Sequence, residues 1–284
     1  MILDYFVSLA IYMFIYFIVV AALNLSIGFA GLVNLGHMVA FGIGAYASAL
    51  FMLKAGFPWF AAILAAAITA SLISTIIAAV TVRLKGDYYQ IVTLGLVFMA
   101  IALSRNWTSL TRGALGIPGV PQIIKDDLYY MLFVAAISSL CLLFFYRISK
   151  SETGKAFQAI RDDEVAAQIL GKNTYGYKVL CILISTFFTG LAGALLVHHI
   201  NFIDPSIFDL DFFVIILAMT IVGGLASIPG SIAGVFSLSV VMESLRFVNI
   251  NPEIIGALRQ MLFLLILLII VVYRPRGILG KVDV

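Results

Sequence analysis

The chain has 284 residues, 63% of them hydrophobic and only 11% charged, with a mean hydropathy of +1.14 and a formal net charge of +3. A soluble domain of this length needs far more polar surface, and a charge this small and dispersed leaves no nucleic-acid footprint. The composition is that of a polytopic membrane protein.

Residues 5–25 form a first apolar span, long enough to cross a bilayer and without a basic flank, so it reads as a retained helix rather than a cleaved leader. Residues 27–53 follow, with Gly28, Gly31, Gly36, Gly42 and Gly44 plus Asn34 and His37 at membrane depth. So much glycine permits either one closely packed helix or two half-helices around a break, and the pattern leaves both open. Residues 57–82 make a long span rich in alanine and hydroxyls, ending at Arg83, Lys85 and Asp87. Asp87, next to Gly86, is expected to cap the shorter span 88–103. Residues 104–127, with prolines, glycines and mixed charge, read as an ordered loop outside the hydrocarbon.

Spans 128–146 and 179–197 bracket a polar island, residues 147–178, RISKSETGKAFQAIRDDEVAAQILGKNTYGYK. It holds six of the 17 Lys+Arg and four of the 14 Asp+Glu residues. At roughly 2.5–3.5 kcal/mol per charge at the bilayer centre, it must lie in water. Phe157 and Ile160 share one face of a short helix, and Ala166, Ile169 and Leu170 belong to a second. Gly171 before Lys172 is a helix stop. Two amphipathic helices on a wet face are built to lie against something.

Residues 198–211 form a loop with three acids and no lysine or arginine, and spans 212–225, 229–247 and 254–273 complete the membrane part. Putting the island, the 83–85 turn and the basic tail 274–281 in the cytoplasm leaves the acidic loop outside. The C-terminus is then cytoplasmic. The count is nine transmembrane helices with the N-terminus outside if 27–53 crosses once, or ten with it inside if the segment splits. The fold class is therefore all-α, with one membrane domain over residues 1–284. A weak internal echo relates 28–46 to VGGLASIPGSIAGV, where Gly223 and Gly224 begin a second interruption. Cys141 and Cys181 lie within spans and read as packing, and adjacent His198 and His199 make a poor metal site, so no metal is expected.

The stretch GKAFQAIRDDEVAAQILG, residues 154–171, resembles the cytoplasmic coupling loop of ABC importer permeases, with Glu164, Ala166, Ala167 and Gly171 carrying the likeness. With GLVNLGHMVAFGIGAYASAL, RLKGDYYQIVTLG, LTRGALGIPGVP, IVGGLASIPGSIAGV and RPRGILGK in the same order, the chain resembles branched-chain amino-acid ABC permeases of the LivM type from about residue 20 onward. The resemblance implies an inner-membrane transport subunit, itself not an enzyme. Its implied partners are a second permease of the LivH type, two cytoplasmic ATPase subunits that carry ATP and Mg, and an extracytoplasmic substrate-binding protein. The chain carries no GxxxxGK[ST] phosphate loop, which agrees with a pore rather than a motor.

On this reading Gly154, Phe157, Ile160, Arg161, Glu164, Ala166, Ala167, Ile169, Leu170 and Gly171 couple to the ATPase, with the apolar residues in its groove and Arg161 and Glu164 at the polar rim. Asn24, Asn34, His37, Thr93, Gly223 and Gly224 are candidates for the translocation path, because lipid cannot satisfy polar groups. For His37 a structural hydrogen bond competes with path lining. The cargo expected is a branched-chain or other small amino acid. Urea, short amides or sugars are the alternative within the same architecture. A stand-alone secondary carrier fits less well, since no acidic residue lies at membrane depth.

Overall fold

The computed structural model describes residues 2–84, 86–244, 261, 264–270, 272–274 and 276–280. Lys85, Lys281 and half of the expected span 254–273 lie outside them. Helix α1 (Ile2–Asn24) runs into a π-helical turn, Leu25–Phe29. The chain leaves helical geometry at Gly31, whose φ of +68° favours glycine, and resumes as α2 (His37–Leu53). The glycine-rich segment 27–53 is therefore interrupted: its start finishes the first span and its remainder is one 17-residue helix, about 26 Å long.

Helix α3 (Trp59–Thr81) starts after Pro58, and α4 (Asp87–Asn106) starts after Gly86. Gly86 has φ +55°, and the Asp87 side chain makes no capping bond, contrary to its expected role; it sits in the first turn, where a carboxylate suits the helix dipole. The loop after α4 contains α5 (Thr108–Thr111), a 3₁₀ turn (Gly113–Leu115) and β1 (Ile117–Pro118). Helix α6 (Asp127–Lys150) is capped by Asp126, whose Oδ1 accepts from Leu128 N at 2.9 Å. The wet helices α7 (Glu152–Asp162) and α8 (Glu164–Ile169) lead to α9 (Thr174–Ile200). Next come β2 (Phe202–Ile203), paired antiparallel with β1, a 3₁₀ turn (Pro205–Phe208), α10 (Leu210–Gly223) and α11 (Ile228–Ser244). Between the last two the chain bends by 120°.

Helix α9 sits at the centre with α2 and α3 against it. A Cβ on Gly44 would collide with the Gly190 carbonyl, one on Gly193 with the Phe41 carbonyl, and one on Gly190 with the Ala70 methyl. Such backbone-to-backbone contact gains dispersion energy where lipid supplies no hydrophobic drive. Replacing Gly44 by Ala is expected to lower stability by about 1–3 kcal/mol, read as a lower melting midpoint in detergent. An unchanged midpoint would mean that the seam yields freely. The opposite side of α3 exposes Leu64, Ile68, Leu72, Ile76 and Val80, four residues apart, while Ala62, Ala66 and Ala70 are buried. That is a lipid-facing stripe on a helix whose small residues face protein.

Among the described residues, five helices are long and apolar enough to cross a bilayer, or six if the bent α10–α11 pair is one span. The all-α membrane class holds; the described residues do not reach nine to ten such helices by that measure.

Candidate functional site

The two interruptions are in contact, although some 200 residues separate them. Gly28, in the π turn, lies against Ala226 in the corner between α10 and α11, where an added Cβ would strike the Ala226 nitrogen. One turn before Gly28, the fully buried Asn24 fastens the corner. Its Oδ1 accepts from Ala226 N at 2.9 Å, and its Nδ2 faces the carbonyls of Gly224 (3.1 Å) and Ser227 (3.0 Å) and Ser231 Oγ (2.9 Å). Ala226 has φ +57°, a left-handed conformation costing a non-glycine residue about 1–2 kcal/mol. The bond from its N–H to Asn24 holds it there. From the other side, Ile278 N and Leu279 N donate to the carbonyls of Val222 (2.9 Å) and Gly223 (3.0 Å), satisfying the end of α10. Gly223 and Gly224 thus serve close backbone approach: a Cβ on Gly223 would meet the Gly230 carbonyl, and one on Gly224 would meet Gly280.

The wet helices reach the same junction through Arg161. Ser151 caps α7 by accepting from Gly154 N, and Asp163 caps α8 by accepting from Val165 N and Ala166 N. A Cβ on Gly154 would collide with the Ile148 carbonyl, so glycine lets α7 turn tightly off α6. Arg161 Nη1 donates to the Gly28 carbonyl at 2.7 Å, while Nε and Nη2 donate to Asp162 Oδ1 at 2.9 and 2.7 Å. A cation thus meets an orphan carbonyl where the first span ends. Gly31 makes room for the arginine stem, since its Cβ would come within 2.9 Å of Arg161 Cγ. Glu164 pairs with Lys178 at the start of α9, 2.7 Å apart and largely shielded. These groups border a cleft of about 280 Å³ between the wet helices and the first interruption. On the exposed first turn of α7, a hydrogen bond from Lys155 holds the Glu152 carboxyl below the usual carboxylate range.

The arrangement revises part of the coupling surface expected above. Phe157 and Ile160 are buried against the chain's own core, and Ala167 is buried too, so none of the three is available to a groove on another protein. Arg161 and Glu164 are engaged within the chain rather than at an open rim. Ile169 and Leu170 stay 80% and 79% exposed, and Val165, absent from the expected set, is 58% exposed. Ala166 is exposed beside them. Gly171, at φ +77° with open space around it, ends α8 as its sequence signal indicates.

Two polar residues of the expected path bond within the chain, although the buried Nδ1 of His37 has no partner among the described residues. His37 Nε2 lies 2.6 Å from Thr189 Oγ1 on α9. Thr93 Oγ1 accepts from Leu35 N at 3.2 Å and donates to Gln90 O at 2.9 Å, so it replaces the helix bonds lost at the first interruption. Asn34 and Thr93 border a void of about 20 Å³, room for one water. Sequence reasoning passed over Ser227, Ser231 and Lys178. Each is a polar residue in or beside an apolar stretch, the signal that singled out Asn24.

A family model described as "Branched-chain amino acid transport system / permease component" matches residues 5–272. The chain is 27% identical to the high-affinity branched-chain amino acid transport system permease protein LivM of Escherichia coli, over 96% of this chain and 69% of that one. It is 28% identical to the LivH permease protein of Salmonella typhimurium, over 90% and 88% of the two chains. To a probable branched-chain amino acid transport permease protein LivM of Methanocaldococcus jannaschii it is 24% identical, over 94% and 91%. Because the match takes in both interrupted segments and the wet helices that link them, nearly the whole molecule is accounted for, and the chain belongs to the family of branched-chain amino acid transport permeases.

Proposed function

We propose that this chain is one of two permease subunits of an ATP-driven importer of branched-chain amino acids, with its wet helices docked on a cytoplasmic ATPase subunit. Membership of a permease family and likeness to both LivM and LivH proteins support the pairing with a second, related permease. The remaining partners are a second ATPase subunit and an extracytoplasmic binding protein that delivers the amino acid. Nine crossings are supported by the ends of the elements. Tyr175 on α9 bonds the Ala79 carbonyl near the end of α3, on the same side as α7, while Lys54 after α2 bonds the Ser109 carbonyl on the other. The α10–α11 corner and the 276–280 turn lie on the α7 side, so the tail is cytoplasmic and the N-terminus of α1 is outside.

The bond from Arg161 to Gly28 carries the mechanism. A docked motor can move a bundle only through an element whose two arrangements differ in energy. Displacing α8 moves α7 with it. Arg161 passes that displacement to the end of α1, and Asn24, one turn away, passes it to the α10–α11 corner. Both interruptions therefore receive the stroke together, and an interrupted helix can change angle without breaking a regular hydrogen-bond ladder. The small-residue seam of α2, α3 and α9 moves as one body beside them.

The docking surface is the apolar tip formed by Val165, Ile169 and Leu170. Ile169→Glu with Leu170→Glu is expected to leave folding within about 0.5 kcal/mol, since both side chains are exposed. Co-purification of the ATPase subunits should fall at least tenfold, as central apolar contacts each contribute about 1–2 kcal/mol or more. Full ATPase retention by the double variant would remove this surface from the interface.

A further inference from the structure

At the end of the bundle away from α7, a cavity of about 320 Å³ opens between α2, α9, α10 and the segment after β2. Its walls are the apolar side chains of Phe41, Leu196, Ile203, Ile207 and Phe212, and Asp204 is the charged group that lines it. Asp204 Oδ1 accepts from Ser206 N at 2.9 Å and also receives the Ser206 hydroxyl, which fixes the carboxylate at the rim. Among the described residues Oδ2 has no hydrogen-bond partner. No lysine or arginine lies between residues 198 and 211, where Asp209 and Asp211 add to the negative charge. An apolar chamber of this size with one fixed anion selects a ligand with an aliphatic body and a cationic head.

Resting on the importer reading above, we infer that this cavity is a substrate subsite on the entry side of the permease. It receives the side chain of a branched-chain amino acid among Phe41, Leu196 and Phe212 while Asp204 accepts the substrate ammonium. The substrate carboxylate stays at the open mouth, in water, because the lining supplies no cation for it. Two walls of the subsite belong to elements the mechanism moves: Phe212 is on α10, whose far end is the Asn24 corner, and Leu196 is on α9. A tilt of α10 against α9 therefore changes the width of the chamber, which couples occupancy to the stroke.

The test uses the assembled transporter, with ATPase subunits and binding protein, in vesicles loaded with ATP, and measures initial uptake of leucine and valine. Asp204→Asn keeps the cap on Ser206 and removes only the charge. It should lower uptake of both amino acids about tenfold, the loss of one charge-assisted hydrogen bond. Ile207→Trp narrows the chamber at a half-buried wall and should lower the leucine-to-valine uptake ratio about tenfold, the scale on which one methylene is discriminated. Uptake unchanged in Asp204→Asn, or an unaltered leucine-to-valine ratio in Ile207→Trp, overturns the subsite. If vesicles carrying the unsubstituted chain take up neither amino acid, the importer reading fails, and the subsite with it.

Discussion

Asn24→Asp is expected to be the most damaging single substitution among the polar membrane residues, although it changes one atom's chemistry and almost none of its volume. The new carboxylate still accepts from Ala226 N. Its second oxygen, however, faces three oxygens at 2.9–3.1 Å, those of Ser231, Ser227 and Gly224, where an amide had donated. Burying that charge without a partner, and leaving the carbonyls unpaired, costs about 3–5 kcal/mol. The midpoint of thermal unfolding in detergent should drop by about 10 °C, and uptake should be lost even where some protein still inserts. Asn24→Ala should be milder than Asp, because the space left behind admits water that can serve Ala226 N–H and the carbonyls. An aspartate variant as stable as the alanine one would mean that the corner is held by something other than this amide.

Arg161→Met separates fastening from filling. Methionine retains an unbranched stem over Gly31 but cannot donate to the Gly28 carbonyl or to Asp162. Much of the arginine is shielded, yet its head reaches solvent beside Asp162, so the stability change should be modest, about 1–2 kcal/mol. Transport should suffer far more. Coupling free energies between sites run about 1–3 kcal/mol, or 5–150-fold, and the amount of leucine imported per ATP hydrolysed should fall within that span. Arg161→Lys should lie between, since an ammonium can reach one acceptor but not fork to both Gly28 and Asp162. The measurement is uptake and phosphate release from the same vesicles. A methionine variant with the normal ratio of the two would show that the stroke enters elsewhere.

The membrane class, the positions of the principal helices and the wet island between α6 and α9 were legible in the chain because they follow from local composition. Glycine and charge at Gly171–Lys172 announced the end of α8. What lay out of reach was pairing. Asn24 and Arg161 stood out as polar residues in their settings, but the partners of Asn24 are about 200 positions away and the bond Arg161 makes to Gly28 spans 133. No periodicity encodes a contact of that kind. The same limit sent Phe157 and Ile160 to the wrong surface. An amphipathic helix declares which face is apolar, not whether that face meets its own bundle or a stranger, and here the bundle takes it while Ile169 and Leu170 remain outside. The residue pattern of 27–53 leaves its break undecided for a related reason: glycine permits a break, but the bond from Leu35 N to Thr93 is what stabilises it.

The short ladder of Ile117 with Ile203 and Pro118 with Phe202 joins the strand that follows α5 to the one that follows α9. Val120 N extends the join to the Asn201 carbonyl, and His198 completes it through the Pro121 carbonyl. Two crossovers that the chain visits some eighty residues apart are thereby riveted into a single lintel over the mouth of the bundle. Nothing that presses on one of them can leave the other in place, so a load applied anywhere along the lintel arrives at the top of α9 as a shared tilt.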